Sequence, residues 1–238
     1  MQILPKICIQ DGCMLLDGLS NVSRYGSPMN FRLPPEKLAI LTALFLASTV
    51  FAQDLPKVKM VSVGDGFAKT SVNTVVFRGS SVITSGSTQY TSYYDGDGFV
   101  VVAKRNLDPA ADPAKWEIRR TQYRGNVADA HNTISIGVDG KGYLHIAWDH
   151  HNHPLRYARS TEPGGLELTE KMPMTGRDES FVTYPQFLNL PDGDLLFVYR
   201  EGGSGNGNTM LNRYDLKTGK WEVVQHPLVD GWHGSRHR

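Results

Sequence analysis

The stretch HNTISIGVDGKGYLHIAWDHHNH, residues 131–153, decides how the chain is read. Two runs rich in Ile, Val, Leu and Tyr flank Asp139-Gly140. Asp-Gly between such runs is a strong hairpin signal, because Gly tolerates the positive φ that tight hairpin turns require. Five of the eight histidines lie in this stretch. His131 opens the first run, and His150, His151 and His153 close the second. Downstream, TYPQFLNLPDGDLLFVYREGG has the same form, with Tyr184 opening it and Arg200 closing it. If these ends converge, an acid–base site lies beside a cationic group.

A third segment, STQYTSYYDGDGFVVVAKR from Ser87, carries the same signature. The three turn aspartates, Asp95, Asp139 and Asp192, are spaced by 44 and 53 residues. Repeats of about 40–50 residues with several short strands indicate propeller blades. AKWEIRR around Trp116 and GKWEVV around Trp221 read as equivalent outer strands, two blades apart. No long segment after Asp54 keeps a helical period, and Gly or Pro interrupts most windows; Pro109–Lys115 allows one short turn at most. The expected fold is all-β: a β-propeller of four-stranded antiparallel blades. The 186 residues from Gln53 to Arg238 suffice for about four blades, and the chain stops at GWHGSRHR without a closing strand. It therefore reads as part of a larger ring.

The first 52 residues read differently. Leu38–Ala52, LAILTALFLASTVFA, is a 15-residue apolar run preceded by Arg32 and Lys37. It is short for a membrane span and ends in small residues, the pattern of a secretory signal peptide over 29–52 cleaved between Ala52 and Gln53. Residues 1–28 lie upstream of Met29, a natural start, and read as an extension outside the normal product. Both cysteines, Cys8 and Cys13, fall there, so the exported part, 53–238, has neither a disulfide nor a thiolate metal site. Removing the four basic and three acidic residues of the leader from 25 and 24 leaves 21 of each. A neutral chain without a basic run argues against nucleic acid and, after cleavage, against a membrane surface.

The hairpin offsets select the chemical candidates. His131 and Tyr184 each lie eight residues before their turn aspartate; Arg200 lies eight after Asp192, and His151 twelve after Asp139. The four are expected on one face. Alone, each has an ordinary structural reading: a packed Tyr before Pro185, a solvated strand-end Arg, a buried His. Their joint placement raises them above that background. His145, flanked by Leu144 and Ile146, is expected to be structural, and the same caution covers His226, His233 and His237. His150, His151 and His153, with Asp149, invite a metal, but HH-x-H in extended chain sends neighbours to opposite sides, so no catalytic metal is expected. A structural ion stays open.

The segments DAHNTISIGVDGKGYLHIAWDHHNHPLRYARS and TYPQFLNLPDGDLLFVYREGG resemble the BNR-repeat proteins that include secreted ulvan lyases and related rhamnose–glucuronate lyases. The resemblance covers roughly Val75 to Trp232. It implies a seven-bladed ring with a His, a second His, a Tyr and an Arg in a groove on one face; matched by motif, these are His131, His151, Tyr184 and Arg200. The interval from His151 to Tyr184 is short for such lyases. No S-x-D-x-G-x-x-W box of the sialidase type is present. The implied activity is β-elimination on a uronate-containing polysaccharide, needing no cofactor, with Asn132, Tyr90, Trp148 and His150 as candidate substrate-binding residues.

Two other readings compete. A sialidase-like hydrolase needs a carboxylate pair or a Tyr–Glu set, for which Asp149, Asp178, Glu179 and Glu201 are the candidates. The other is a non-catalytic glycan-binding propeller, with Tyr90, Tyr93, Trp148 and Trp232 as sugar platforms, or an inactive fragment.

Overall fold

The computed structural model describes residues 60–231 except 67 and 76. The expected leader, both cysteines, Trp232, His233 and His237 lie outside the described residues.

Twelve strands form three antiparallel sheets, and no helix occurs among the described residues. The first sheet contains β1 (Val82–Ser85), β2 (Thr88–Tyr94), β3 (Phe99–Asn106) and β4 (Glu117–Arg124), side by side in chain order. The second contains β5 (Ser135–Val138), β6 (Leu144–Ala147) and β8 (Tyr157–Arg159), extended by a bridge from Ser160 to Leu168. The third runs β9 (Val182–Asn189), β10 (Leu195–Glu201), β11 (Asn208–Asp215) and β12 (Lys220–Val229). To its β9 edge is added β7 (His151–His153), which leaves the second sheet to pair there. Among the described residues the sheets number three, and 60–81 and 161–181 contain no strand of their own. Residues 109–115 form only turns, closed by Ala111 N–H to Asp108 O and Lys115 N–H to Asp112 O.

The leading strands lie together: β5 touches both β1 and β9. Two glycines permit the close approach of the second and third sheets. A Cβ on Gly137 would meet the Phe187 Cβ at 2.9 Å, and one on Gly140 would meet the Gly193 Cα at 2.8 Å. Gly140 N–H also bonds Gly193 O at 2.8 Å, so the Asp139 and Asp192 turns are neighbours.

The Asp95 turn is not their counterpart. It sits at the opposite end, where Gly125 N–H bonds Gly98 O and Asn126 N–H bonds the Asp149 carboxylate beyond the far end of β6. In an antiparallel sheet successive turns alternate ends, so a hairpin displaced by one strand has its turn on the other side. The strand equivalent to β5 and β9 is β1, and the equivalent turn is the plain Ser85-Gly86-Ser87, which lacks the Asp-Gly signature. The outer strands were matched correctly: β4, following Trp116, and β12, with Trp221, are the outer edges of the first and third sheets.

The core has two parts, and β6 serves both. Leu144 and Ile146 pack with Tyr94, Val100, Val102, Ile136 and Trp148 toward the first sheet. Ala147 packs with Tyr157, Phe187, Phe197 and Tyr199 toward the third. A strand buried on both faces loses the polar alternation of a half-exposed one, which explains the unbroken YLHIAW run. His145 lies on the second face, fully buried, with Nε2 on Asp139 at 3.2 Å and Nδ1 accepting from the Tyr157 hydroxyl at 2.7 Å. It is a satisfied structural histidine, as its sequence position suggested. His145→Ala should destabilise the protein by about 3 kcal/mol, through the cavity and two orphaned polar partners. A lowered denaturant midpoint would show this; an unchanged midpoint would contradict it.

Burial also lowers the pKa of His145, against the pull of Asp139, and holds that of His150 well down, helped by Arg156 and His153. The unfolded chain therefore takes up these protons first, near the ordinary pKa of about 6.5. Stability is expected to be retained above that pH and to fall below it, each histidine contributing a slope approaching about 1.4 kcal/mol per pH unit. Denaturant midpoints between pH 7.5 and 5.5 test the sign; a flat profile would contradict it.

Candidate active site

The end of the sheets opposite the Asp139 and Asp192 turns gathers the four chemical candidates. The loop before β5 carries His131. β7 pairs antiparallel with the start of β9, placing His151 opposite Thr183, and Asn152 N–H bonds the Thr183 hydroxyl at 2.7 Å. Tyr184 follows at once. Arg200, near the end of β10, lies opposite Thr183 across the next ladder, where a bulge between Val198 and Arg200 leaves Tyr184 out of the register.

The rings form a continuous stack. His131 and His151 have centroids 4.2 Å apart; Phe77 stacks at 4.9 Å on both His131 and Tyr184; His131 and Tyr184 are 5.9 Å apart. The Arg200 guanidinium lies 5.2 Å from the Tyr184 centroid. The imidazoles are 35% and 37% exposed, enough to meet a ligand. Three non-glycine residues with positive φ cluster here: Asp149 at 62°, Asn152 at 63° and Tyr184 at 53°. For a bulky aromatic before proline this is a rare conformation, costing about 1–3 kcal/mol, and such strain collects at functional sites.

Asp129, not anticipated from the sequence, joins the two histidines. Its Oδ1 lies 2.6 Å from His131 Nδ1 and its Oδ2 2.6 Å from His151 Nδ1, while His131 N–H donates to Oδ1 at 2.9 Å. Burial pushes the Asp129 pKa up, but the hydrogen bonds from the His131 backbone and from both imidazoles outweigh it and hold the carboxyl well below its ordinary value. The spacing D-x-H, which suits a local side-chain-to-backbone turn, was its sequence signal. Phe77 had none, since it lies outside any strand.

Arg200 has no carboxylate partner among the described residues, and its Nε is buried without an acceptor. It is a cation held ready on an aromatic face.

The proposed substrate-binding residues do not join this cluster. Trp148 is buried, its ring 4.2 Å from that of Tyr123, because strand alternation puts it on the core face with Leu144 and Ile146. The left-handed turn at Asp149 lies between Ile146 and a fully buried His150, whose Nε2 accepts from Arg156 N–H at 2.8 Å. Asn132 is buried, its Nδ2 bonded to Asn126 O and its own carbonyl accepting from the Tyr94 hydroxyl. Tyr90, only 3% exposed, lines a cavity of about 480 Å³ with Lys104, Arg105, Lys115 and Trp116. That cavity lies at the other end of the first sheet, away from the Asp95 turn, and holds none of the four chemical candidates.

The HH-x-H residues do not converge on an ion. Among the described residues one group, Asp129, His131 and His151, has donor atoms within 4.8 Å of one another. Both Nδ1 atoms already hydrogen-bond the carboxylate, so a cation would have to displace two protons.

Comparison with known proteins places the chain in a family. The chain is 28% identical over 193 residues to an ulvan lyase, long isoform, of Alteromonas sp., which covers 61% of this chain and 19% of the relative. It is 31% identical over 145 residues to an ulvan lyase, long isoform, of Glaciecola sp. (strain KUL10), covering 43% of this chain and 14% of the relative. The chain thus spans about a fifth or less of those relatives' length. Its fold is similar to the crystal structure of the polysaccharide lyase Uly1, with a TM-score of 0.53 and 19% identity over 75% of this chain and 46% of the other. A family model described as BNR repeat-containing family member matches residues 88–237. With more than half its length matched, the chain belongs to the BNR repeat-containing family.

Proposed function

We propose that the protein is a polysaccharide lyase that cleaves a uronate-containing, ulvan-like glycan by β-elimination. The observation that carries this is the convergence of two imidazoles on one carboxylate, beside a tyrosine and an arginine that has no carboxylate partner among the described residues. In a chain-linked uronic acid the C5 proton lies next to the carboxylate. A neutral imidazole removes it, the freed electron pair forms the C4–C5 double bond, and the C4–O bond breaks. The departing oxygen takes a proton from Tyr184 or from the second imidazole. Charge accumulating on the carboxylate in the transition state meets Arg200, which suits bidentate pairing. Asp129 balances an imidazolium. Each step uses side chains of this chain, and the mechanism needs no cofactor.

The fold supports the same reading. Three sheets whose leading strands lie side by side are what successive blades of a propeller would present, and the seven-bladed ring implied by the family resemblance would supply the remaining walls of a groove. The apolar run 38–52 supports export to the periplasm or medium, where such a polymer is met. The partner is then an anionic polysaccharide, not nucleic acid or a membrane.

A hydrolase is less well served. Asp149 is engaged by Asn126 N–H and Arg156, Asp178 by His226, Glu179 by Thr175 and Gly176, and Glu201 by Phe181 N–H. Asp178 and Glu179 lie near enough to Glu201 to raise its pKa, after burial, but each of these carboxylates already has its own hydrogen-bond or ion-pair partner. A purely binding role loses two of its four platforms, since Tyr90 and Trp148 are buried; Tyr93 is half-buried and Trp232 lies outside the described residues.

Incubation with ulvan should generate ultraviolet absorbance from the conjugated uronyl double bond. New reducing ends without that absorbance would establish hydrolysis instead, and binding without either would establish a glycan-binding protein.

A further inference from the structure

We propose that Asp129 is the positioning residue of this site: it fixes both His131 and His151 as Nδ1–H tautomers, leaves Nε2 as the reactive nitrogen of each ring, and so makes the two imidazoles one acid–base unit. The inference rests on the lyase reading for its catalytic consequence, but its structural content stands separately.

An ionised carboxylate only accepts hydrogen bonds. Each Asp129 oxygen lies 2.6 Å from one Nδ1, so both Nδ1 atoms must be the donors. The tautomers follow from chemistry, without observing a hydrogen. Nε2 is then the reactive nitrogen of each ring, and neither Nε2 has a hydrogen-bond partner among the described residues. The carboxylate is itself fixed by its own loop, through His131 N–H to Oδ1 at 2.9 Å and Asn132 N–H to Asp129 O at 3.3 Å.

Charge limits the unit to one extra proton. Two imidazolium rings with centroids 4.2 Å apart repel, and one carboxylate compensates one of them. The other groups facing the pair supply no second carboxylate: His153 Nδ1 accepts from His151 N–H, Tyr184 presents its ring, and Arg200, beyond that ring, adds positive charge. The ionised unit therefore contains one imidazole with a free lone pair and one imidazolium with an acidic Nε2–H. Elimination needs one of each.

Asp129→Asn in the full chain tests this. An amide cannot accept two N–H donors as a charged carboxylate does. We expect kcat on ulvan to fall at least about 100-fold with KM within about threefold, as for loss of acid–base function. Asp129→Glu should restore part of the rate. Side-chain nitrogen NMR should show Nδ1–H at both rings in the unaltered chain and a mixture of tautomers in the variant. If the unaltered chain eliminates but Asp129→Asn keeps its rate and both Nδ1–H signals, the positioning role is wrong and the lyase reading stands. If the unaltered chain does not eliminate, the lyase reading fails, and the NMR spectra alone decide the role of Asp129. If EDTA abolishes turnover and zinc restores it with Nδ1 of both rings metallated, Asp129 is a metal ligand and the proposal is overturned.

Discussion

Arg200→Ala is expected to lower kcat/KM on ulvan by about 100–1000-fold, about 3–4 kcal/mol of transition-state stabilisation. Removing the C5 proton turns a carboxylate into an enolate-like dianion, and the guanidinium is the cation of the cluster without a carboxylate partner. Among the described residues the Arg200 side chain has neither a carboxylate partner nor an acceptor for Nε, so its charge is not already neutralised when a substrate carboxylate arrives. Part of the loss should appear in KM, because the ground-state carboxylate already carries one charge. The larger part should appear in kcat, where the second charge develops. Arg200→Lys should recover only a fraction, since a point charge cannot reproduce the bidentate fork. The fold should survive, because the side chain packs against Gly207 and Tyr184 rather than within either core cluster. An Arg200→Ala rate within fivefold of the unaltered chain would remove carboxylate neutralisation from the mechanism.

Much of this site was legible in the chain because hairpins carry fixed offsets. An Asp-Gly turn sets a register, and counting eight residues back from Asp139 and Asp192 reached His131 and Tyr184, which the structure places 5.9 Å apart. The same counting failed for the first sheet, where an Asp-Gly turn one strand out of phase marks the opposite end. A turn motif reports that two strands pair, not which end of the sheet they turn at. Burial was harder still. Trp148, His150 and Asn132 sit beside site residues in sequence, yet strand alternation and the turn at Asp149 direct them inward. Asp129 went unnoticed because its role depends on His151, 22 residues away, and a contact made by loop geometry leaves no period to detect.

Tyr184→Phe should separate proton transfer from architecture. The substitution removes one oxygen and keeps the ring that stacks on Phe77 at 4.9 Å and supports Arg200 at 5.2 Å. It also keeps a β-carbon at a φ of 53°, so whatever backbone strain the position stores is unchanged. Among His131, His151, Tyr184 and Arg200 the hydroxyl is the one O–H donor, and so the oxygen acid they offer to a departing glycosidic oxygen. Its loss should cost about 100–1000-fold in kcat, within the usual contribution of a general acid or base, with KM and the denaturant midpoint little altered. Leaving-group dependence gives a second readout. A synthetic uronide with an acidic phenol as aglycone departs without protonation, so the variant should cleave it at nearly the rate of the unaltered chain while failing on the polymer. If both substrates slow equally, the hydroxyl acts before bond cleavage, on the C5 proton. If neither slows, the second imidazole of the Asp129 pair supplies the acid, and the role of Tyr184 reduces to holding Arg200 beneath the substrate carboxylate.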